Sequence, residues 1–129
     1  WGHAKDYVEM QWRMLQQEKP EDFVISTGQT TSVRKFIEIS AKALNWGGID
    51  WEGEGLKEVG RRKDNGKVVI KINPKFYRPA EVEFLLGDSS KAHSLLGWKP
   101  IIKIETLIEE MIENDKKIAE KELKEKNPS

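Results

Sequence analysis

The chain has 129 residues, 37% of them hydrophobic, with Lys+Arg and Asp+Glu equal at 22 each; it is long enough for one domain with a core, and its balanced charge steers it toward neither nucleic acid nor an anionic membrane. It has no cysteine, which excludes a disulfide framework, a thiolate nucleophile and a cysteine-ligated metal and favours a reducing compartment, the cytoplasm. No stretch approaches the roughly 18 apolar residues of a membrane span, and none is built like a signal peptide.

The sequence opens on Trp1 rather than methionine, and WGHAKDYV has no leader character. The first residues therefore read as the middle of a longer polypeptide. Residues 4 to 18 are expected to form a helix, with Ala4, Val8, Trp12 and Leu15 at helical spacing on one face. Lys19-Pro20 ends it, because the residue before proline avoids the helical region. DFVIST, residues 22 to 27, is apolar and β-branched and reads as a buried strand. After the TGQTTS loop, Ser32 is a good N-cap for a second helix whose inner side carries Val33, Phe36, Ile37, Ser40 and Leu44. WGG closes that helix, with Gly47 free to turn left-handed.

Residues 49 to 72 change to extended runs broken by glycine. Asn65-Gly66 is the pair that suits a type I′ turn, which predicts a hairpin with arms near 57–63 and 67–72. Asp88 is placed to cap a short helix, SSKAHSLL, that Gly97 stops. WKPII is an extended crossing. Ile104, Leu107, Ile108, Met111 and Ile112 mark a final amphipathic helix. Residues 1 to 115 form the folded part, and 116 to 129 a polar, fraying tail. Helices alternating with strands give an α/β or α+β class. One core strand and one hairpin make a thin sheet, which implies neighbours that are not in this sequence.

The most suggestive stretch is FYRPAEVEFLLGD, residues 76 to 88. Pro79 pushes Arg78 into an extended conformation and suits the first helical position, so Arg78 falls at the N-cap and Glu81 at the third helical residue. Two uses fit. Glu81 can close a capping box beside a solvated arginine. Alternatively, Arg78 at a helix N-terminus can grip phosphate oxygens in a fork while Glu81 accepts hydrogen bonds from a ribose diol. His3 and His93 lack metal-ligand spacing, so no metal site is assigned. GRRKDNGK is basic, but hairpin tips are commonly charged and it lacks the interleaved aromatics of single-strand binders. STGQTTS lacks GxGxxG spacing, so it is not a dinucleotide fingerprint. The tryptophans read as packing residues. No catalytic constellation stands out.

Four stretches occur in order: WGHAKDYVEMQWRMLQQEKPEDFVISTG, SVRKF, FYRPAEVEFLLGD and SKAHSLLGWKP. Together, over residues 1 to about 115, they resemble the C-terminal part of the GDP-mannose 4,6-dehydratase family within the extended short-chain dehydrogenase/reductases. The resemblance implies the α/β, C-terminal substrate-binding portion of an NAD(P)-binding Rossmann-type enzyme, without the N-terminal dinucleotide-binding half. It implies GDP-mannose as ligand, with Arg78 at the diphosphate region and Glu81 at the ribose hydroxyls, and no catalytic residue among those present. Such enzymes use bound NADP to oxidise C4 of the mannose, eliminate water across C5 and C6, and return hydride to C6, giving GDP-4-keto-6-deoxy-mannose, a precursor of GDP-fucose. NADP and the acid/base groups would belong to an upstream half or partner chain, and the intact enzyme would be a homo-oligomer. The alternatives are a non-catalytic nucleotide-sugar module, or part of a related GDP-sugar epimerase or reductase.

Overall fold

A computed structural model describes residues 1–78 and 84–126. The described residues form four α-helices and one antiparallel sheet: α1 (Ala4–Leu15), α2 (Val33–Ala43), β1 (Ile49–Glu52), β2 (Val59–Arg62), β3 (Val68–Lys71), α3 (Ser90–Leu96) and α4 (Ile104–Lys126). The chain divides into two compact units, Trp1–Thr31 with Glu83–Leu107 and Ser32–Val82 with Ile108–Ser129.

In the first unit, His3 caps α1 by accepting the Lys5 N–H at Nδ1, 3.0 Å. The helix ends at Leu15, three residues short of the expected end. Its inward face is also different. Met10 is buried, with Tyr7 and Met14 packed beside it against Ala92, Leu96 and Trp98. Val8, Trp12 and Leu15 are exposed, Trp12 by 62%. Both stripes have helical period; α1 turns the 7/10/14 stripe inward because α3 and Trp98 lie there. Phe23 and Ile25 pack on the same core, yet the expected strand over 22–27 has no ladder partner among the described residues. The N-cap of α3 is Ser89, one residue after the expected Asp88, and Asp88 acts from just outside the helix: its Oδ1 accepts the Ser90 N–H at 2.9 Å, which holds its carboxyl below the usual range. Gly97 (φ 61) stops α3 as expected.

In the second unit, Ser32 Oγ accepts the Lys35 N–H at 3.1 Å and starts α2 where expected. Val33, expected inside, is 65% exposed. The helix is closed by Asn45 (φ 59) ahead of Gly47: the Trp46 N–H bonds Ala41 O and the Asn45 N–H bonds Lys42 O, both at 2.9 Å, the Schellman pattern. Three strands follow in the order β1-β2-β3, with Trp51 opposite Gly60 and Gly60 opposite Ile70. β1 is a strand that the hairpin reading did not separate out. The turn is also not type I′. Only Gly66 (φ 70) has positive φ in the Lys63–Gly66 loop, and its N–H bonds Arg62 O at 2.8 Å. Asn65 Oδ1 instead accepts the Lys67 N–H at 3.0 Å. A four-residue loop needs just one left-handed residue, so asparagine serves as a side-chain acceptor. α4 stays helical to Lys126, through most of the expected tail.

Candidate functional site

Arg78 stands at the end of the second unit's sheet. β3 leads into a tight turn, Pro74–Phe76, whose N-cap Asn73 accepts the Lys75 N–H at Oδ1, 3.0 Å. Proline opens this turn because its missing N–H is not needed there. Tyr77 is extended (φ −70, ψ 128), and Arg78 follows with its side chain exposed. Phe76 and Tyr77 beside it are exposed too. An exposed guanidinium can fork two oxygens of a phosphate. Glu81, the expected ribose ligand, and the helical turn expected from Pro79 lie outside the described residues.

The basic hairpin tip is electrostatically quiet. Arg61 pairs with Glu52 at 2.9 Å, Arg62 with Asp64 at 2.5 Å, and Lys63 with Asp50 at 3.6 Å. The Arg62 hydrogen bond holds the Asp64 carboxyl below its ordinary range. Arg62 also lies over the Trp46 ring at 4.3 Å, and Arg34 lies over Trp51 at 4.2 Å while pairing with Glu58 at 2.5 Å. These cations fasten α2 and its closing turn to the sheet, and local carboxylates offset the attraction that free cations would exert on a phosphate backbone.

The first unit holds a cleft of about 200 Å³ bounded by Trp1, Thr27, Gln29, Thr31, Lys103 and Leu107, among others. The Trp1 indole N–H donates to Thr31 O at 2.9 Å, and Thr27 Oγ1 accepts the Gln29 N–H at 3.3 Å. That volume is below the roughly 300–1,000 Å³ of small-molecule sites; a more open cleft of the same unit, bounded by Gln17, Glu18, Lys19, Glu21, Phe23 and Leu95, is about 420 Å³. Behind the first cleft, Asp6 is 3% exposed. Its Oδ2 accepts the N–H groups of Ile101 and Ile102 at 3.1 and 3.0 Å, and its carbonyl accepts the Trp98 indole N–H at 2.8 Å. The Arg13 guanidinium donates to Leu96 O, 2.9 Å, at the C-terminal end of α3. Burial first, then the Asp6 charge, raises the Tyr7 hydroxyl above its usual pKa. Sequence reading missed Asp6 and Arg13. The available signal was a carboxylate and a guanidinium seven apart on the side of α1 that carries Met10.

Among the described residues no group of His, Cys, Asp or Glu is arranged to hold a metal, and no helix is long and apolar enough to cross a membrane. The geometry defines a class: a small α/β polypeptide whose described charged side chains fasten its own elements together. The family model for GDP-mannose 4,6 dehydratase matches residues 1–111. Similar proteins include GDP-mannose 4,6 dehydratases of Cricetulus griseus (51% identical, 89% of this chain, 31% of the relative) and Dictyostelium discoideum (53%, 89% and 32%). The GDP-mannose 4,6-dehydratase of Vibrio cholerae is 50% identical over 94% of this chain and 35% of the relative. The chain belongs to the GDP-mannose 4,6 dehydratase family, and it spans about a third of the length of these relatives.

Proposed function

We propose that this chain is the GDP-sugar-binding, C-terminal portion of a GDP-mannose 4,6-dehydratase, working in the cytoplasm on conversion of GDP-mannose to GDP-4-keto-6-deoxy-mannose. The carrying observation is the family match across residues 1–111, combined with coverage of only about a third of each relative. Arg78 holds the diphosphate, and Glu81 accepts hydrogen bonds from the ribose hydroxyls. The exposed guanidinium beyond the Pro74–Phe76 turn supports the first role, because a phosphate fork must be reachable from solvent.

NADP does not fit the residues of this chain. No GxGxxG and no Tyr-x-x-x-Lys occurs anywhere in the sequence. The turn at Thr27–Gln29 closes on itself through the Thr27 hydroxyl, which takes the Gln29 N–H. The cofactor and the acid/base groups therefore belong to the rest of the enzyme, an upstream Rossmann-type half or partner chain. This chain alone binds and orients the nucleotide end of the substrate without catalysing dehydration, and the intact enzyme is a homo-oligomer.

The test is calorimetric titration with GDP of this chain co-expressed with the remaining two-thirds of the Vibrio cholerae relative. Binding that Arg78→Ala weakens, with unchanged melting temperature, is expected. Unchanged affinity with a lower melting temperature would assign Arg78 to the fold and sink the ligand role.

A further inference from the structure

The two arginine–tryptophan stacks of the second unit sit at opposite ends of its sheet. Arg62 lies over Trp46 and pairs with Asp64 beside the hairpin loop, and it stands opposite Ile49, the first residue of β1. Arg34, in the first turn of α2, lies over Trp51 at 4.2 Å and pairs with Glu58. Glu58 immediately precedes β2, whose first residue, Val59, faces Glu52 on one side and Lys71, the last residue of β3, on the other. The Arg34 clamp therefore grips the end of the sheet from which the chain leaves for the Pro74–Phe76 turn, and Arg78 follows Lys71 by seven residues. A register shift at Gly60/Arg61 breaks the β2–β3 ladder between the two ends. Such a break bends its strand and disrupts pairing locally, so fastening the hairpin tip does not hold the Lys71 end. Trp51 has no polar tie of its own: its indole N–H is buried without a partner among the described residues. Packing and the guanidinium over its face hold the ring.

We propose that Arg34 is a positioning residue for the GDP site: by stacking on Trp51 and pairing with Glu58 it fixes the end of β3, and with it the turn that presents Arg78 to the diphosphate. The inference rests on the ligand role given to Arg78 under the proposed function and deepens it. A guanidinium that forks a phosphate must hold its place before the ligand arrives, because ordering it on binding costs affinity. Arg34 acts through Arg78 and not on the ligand. Its planar head is what the clamp needs, since a lysine can pair with Glu58 but cannot lie flat on the indole.

Calorimetric titration with GDP and thermal melting test this, on the chain co-expressed with the remaining two-thirds of the Vibrio cholerae relative. Arg34→Gln and Arg62→Gln each remove one ion pair and one stack and lower the melting temperature by similar amounts. Only Arg34→Gln weakens GDP binding, by about tenfold, because the fork it loosens must then be ordered by the ligand. Arg34→Lys, which keeps a charge for Glu58, recovers part of that affinity. In an Arg78→Ala background Arg34→Gln costs no further affinity, since the two act as one unit. Equal losses of affinity in Arg34→Gln and Arg62→Gln assign Arg34 to the fold alone and overturn the proposal, as does a further loss in the Arg78→Ala background. If Arg78→Ala weakens GDP binding and Arg34→Gln does not, this inference falls and the ligand role of Arg78 stands. If Arg78→Ala itself leaves the affinity unchanged, the ligand role fails and takes this inference with it.

Discussion

The two units of the chain are held together in different ways. The first is tied by contacts between residues far apart in sequence: Asp6 bonds Ile101 and Ile102, Trp98 bonds Asp6, and Arg13 bonds Leu96. Its core is small, and it leaves Val8, Trp12, Val24 and Phe84 exposed. The second is held by neighbours: a three-stranded meander, ion pairs within the hairpin, and two arginine–tryptophan stacks. The difference teaches how each unit is assembled. The meander joins adjacent strands of a continuous stretch of chain, whereas the first unit depends on side-chain bonds to backbone groups 83 to 96 residues away.

The largest expected effect strikes the first unit at its centre. Trp98→Ala removes a fully buried side chain and its bond to Asp6 O. It should destabilise that unit by about 3–5 kcal/mol, read by urea denaturation. If hydrogen exchange shows the β1-β2-β3 amides unaffected, the units are energetically separate; equal loss in both would break the comparison. Asp6→Ala comes next. It leaves the Ile101 and Ile102 N–H groups without their acceptor and should cost about 3 kcal/mol, the scale for hydrogen bonds to a charged group. Asp6→Asn, which keeps one oxygen acceptor, should recover part of it.

Arg78→Ala should leave stability nearly unchanged and lower the GDP affinity of the reconstituted enzyme by about 1.5–3 kcal/mol. Gly66→Ala sharpens the view of the second unit. It places a side chain at φ 70 in the hairpin loop and should cost about 1 kcal/mol, melting β2 and β3 while sparing α1 and α3. The smallest effect is a pH dependence. Asp64 and Asp88 both have depressed folded-state pKa values, Asp64 through the Arg62 hydrogen bond and Asp88 through the Ser90 N–H. Their contribution is present above the ordinary carboxylate pKa near 4 and is lost as pH falls through the depressed folded values. Both groups are exposed, so only a slight drop in melting temperature is expected below about pH 4, reduced in Asp64→Asn with Asp88→Asn, where Glu113, lowered by the Lys117 hydrogen bond, still contributes.

The elements legible in advance were those whose ends carry their own chemistry. Ser32 at the start of α2, Asp88 before α3 and Gly97 after it all act as their residue types predict. The hairpin was legible as an event, but not its turn type, because Asn65-Gly66 serves either of two loop lengths. The inner face of α1 was misread for a different reason. Two apolar stripes of equal period compete on that helix, and only the position of α3 and Trp98 chooses between them. Of the candidate site, Arg78 is proposed from Pro79 beside it and from the four ordered motifs, and the structure shows it exposed after the Pro74–Phe76 turn. Asp6 was not legible, because a carboxylate on a helix reads as solvated until backbone N–H groups 95 and 96 residues away are seen to meet it.

By itself, then, the sequence determined the local punctuation of the helices, the absence of cysteine chemistry and a dinucleotide fingerprint, and membership in a family through motifs held in order. Those are properties of residue type and short spacing. The tertiary structure decided which stripe of α1 turns inward, that the hairpin's cations pair with carboxylates, and that Phe23–Thr27 keeps the pleat of a strand without a ladder. Each depends on groups that the fold brings together, and no local pattern encodes their position.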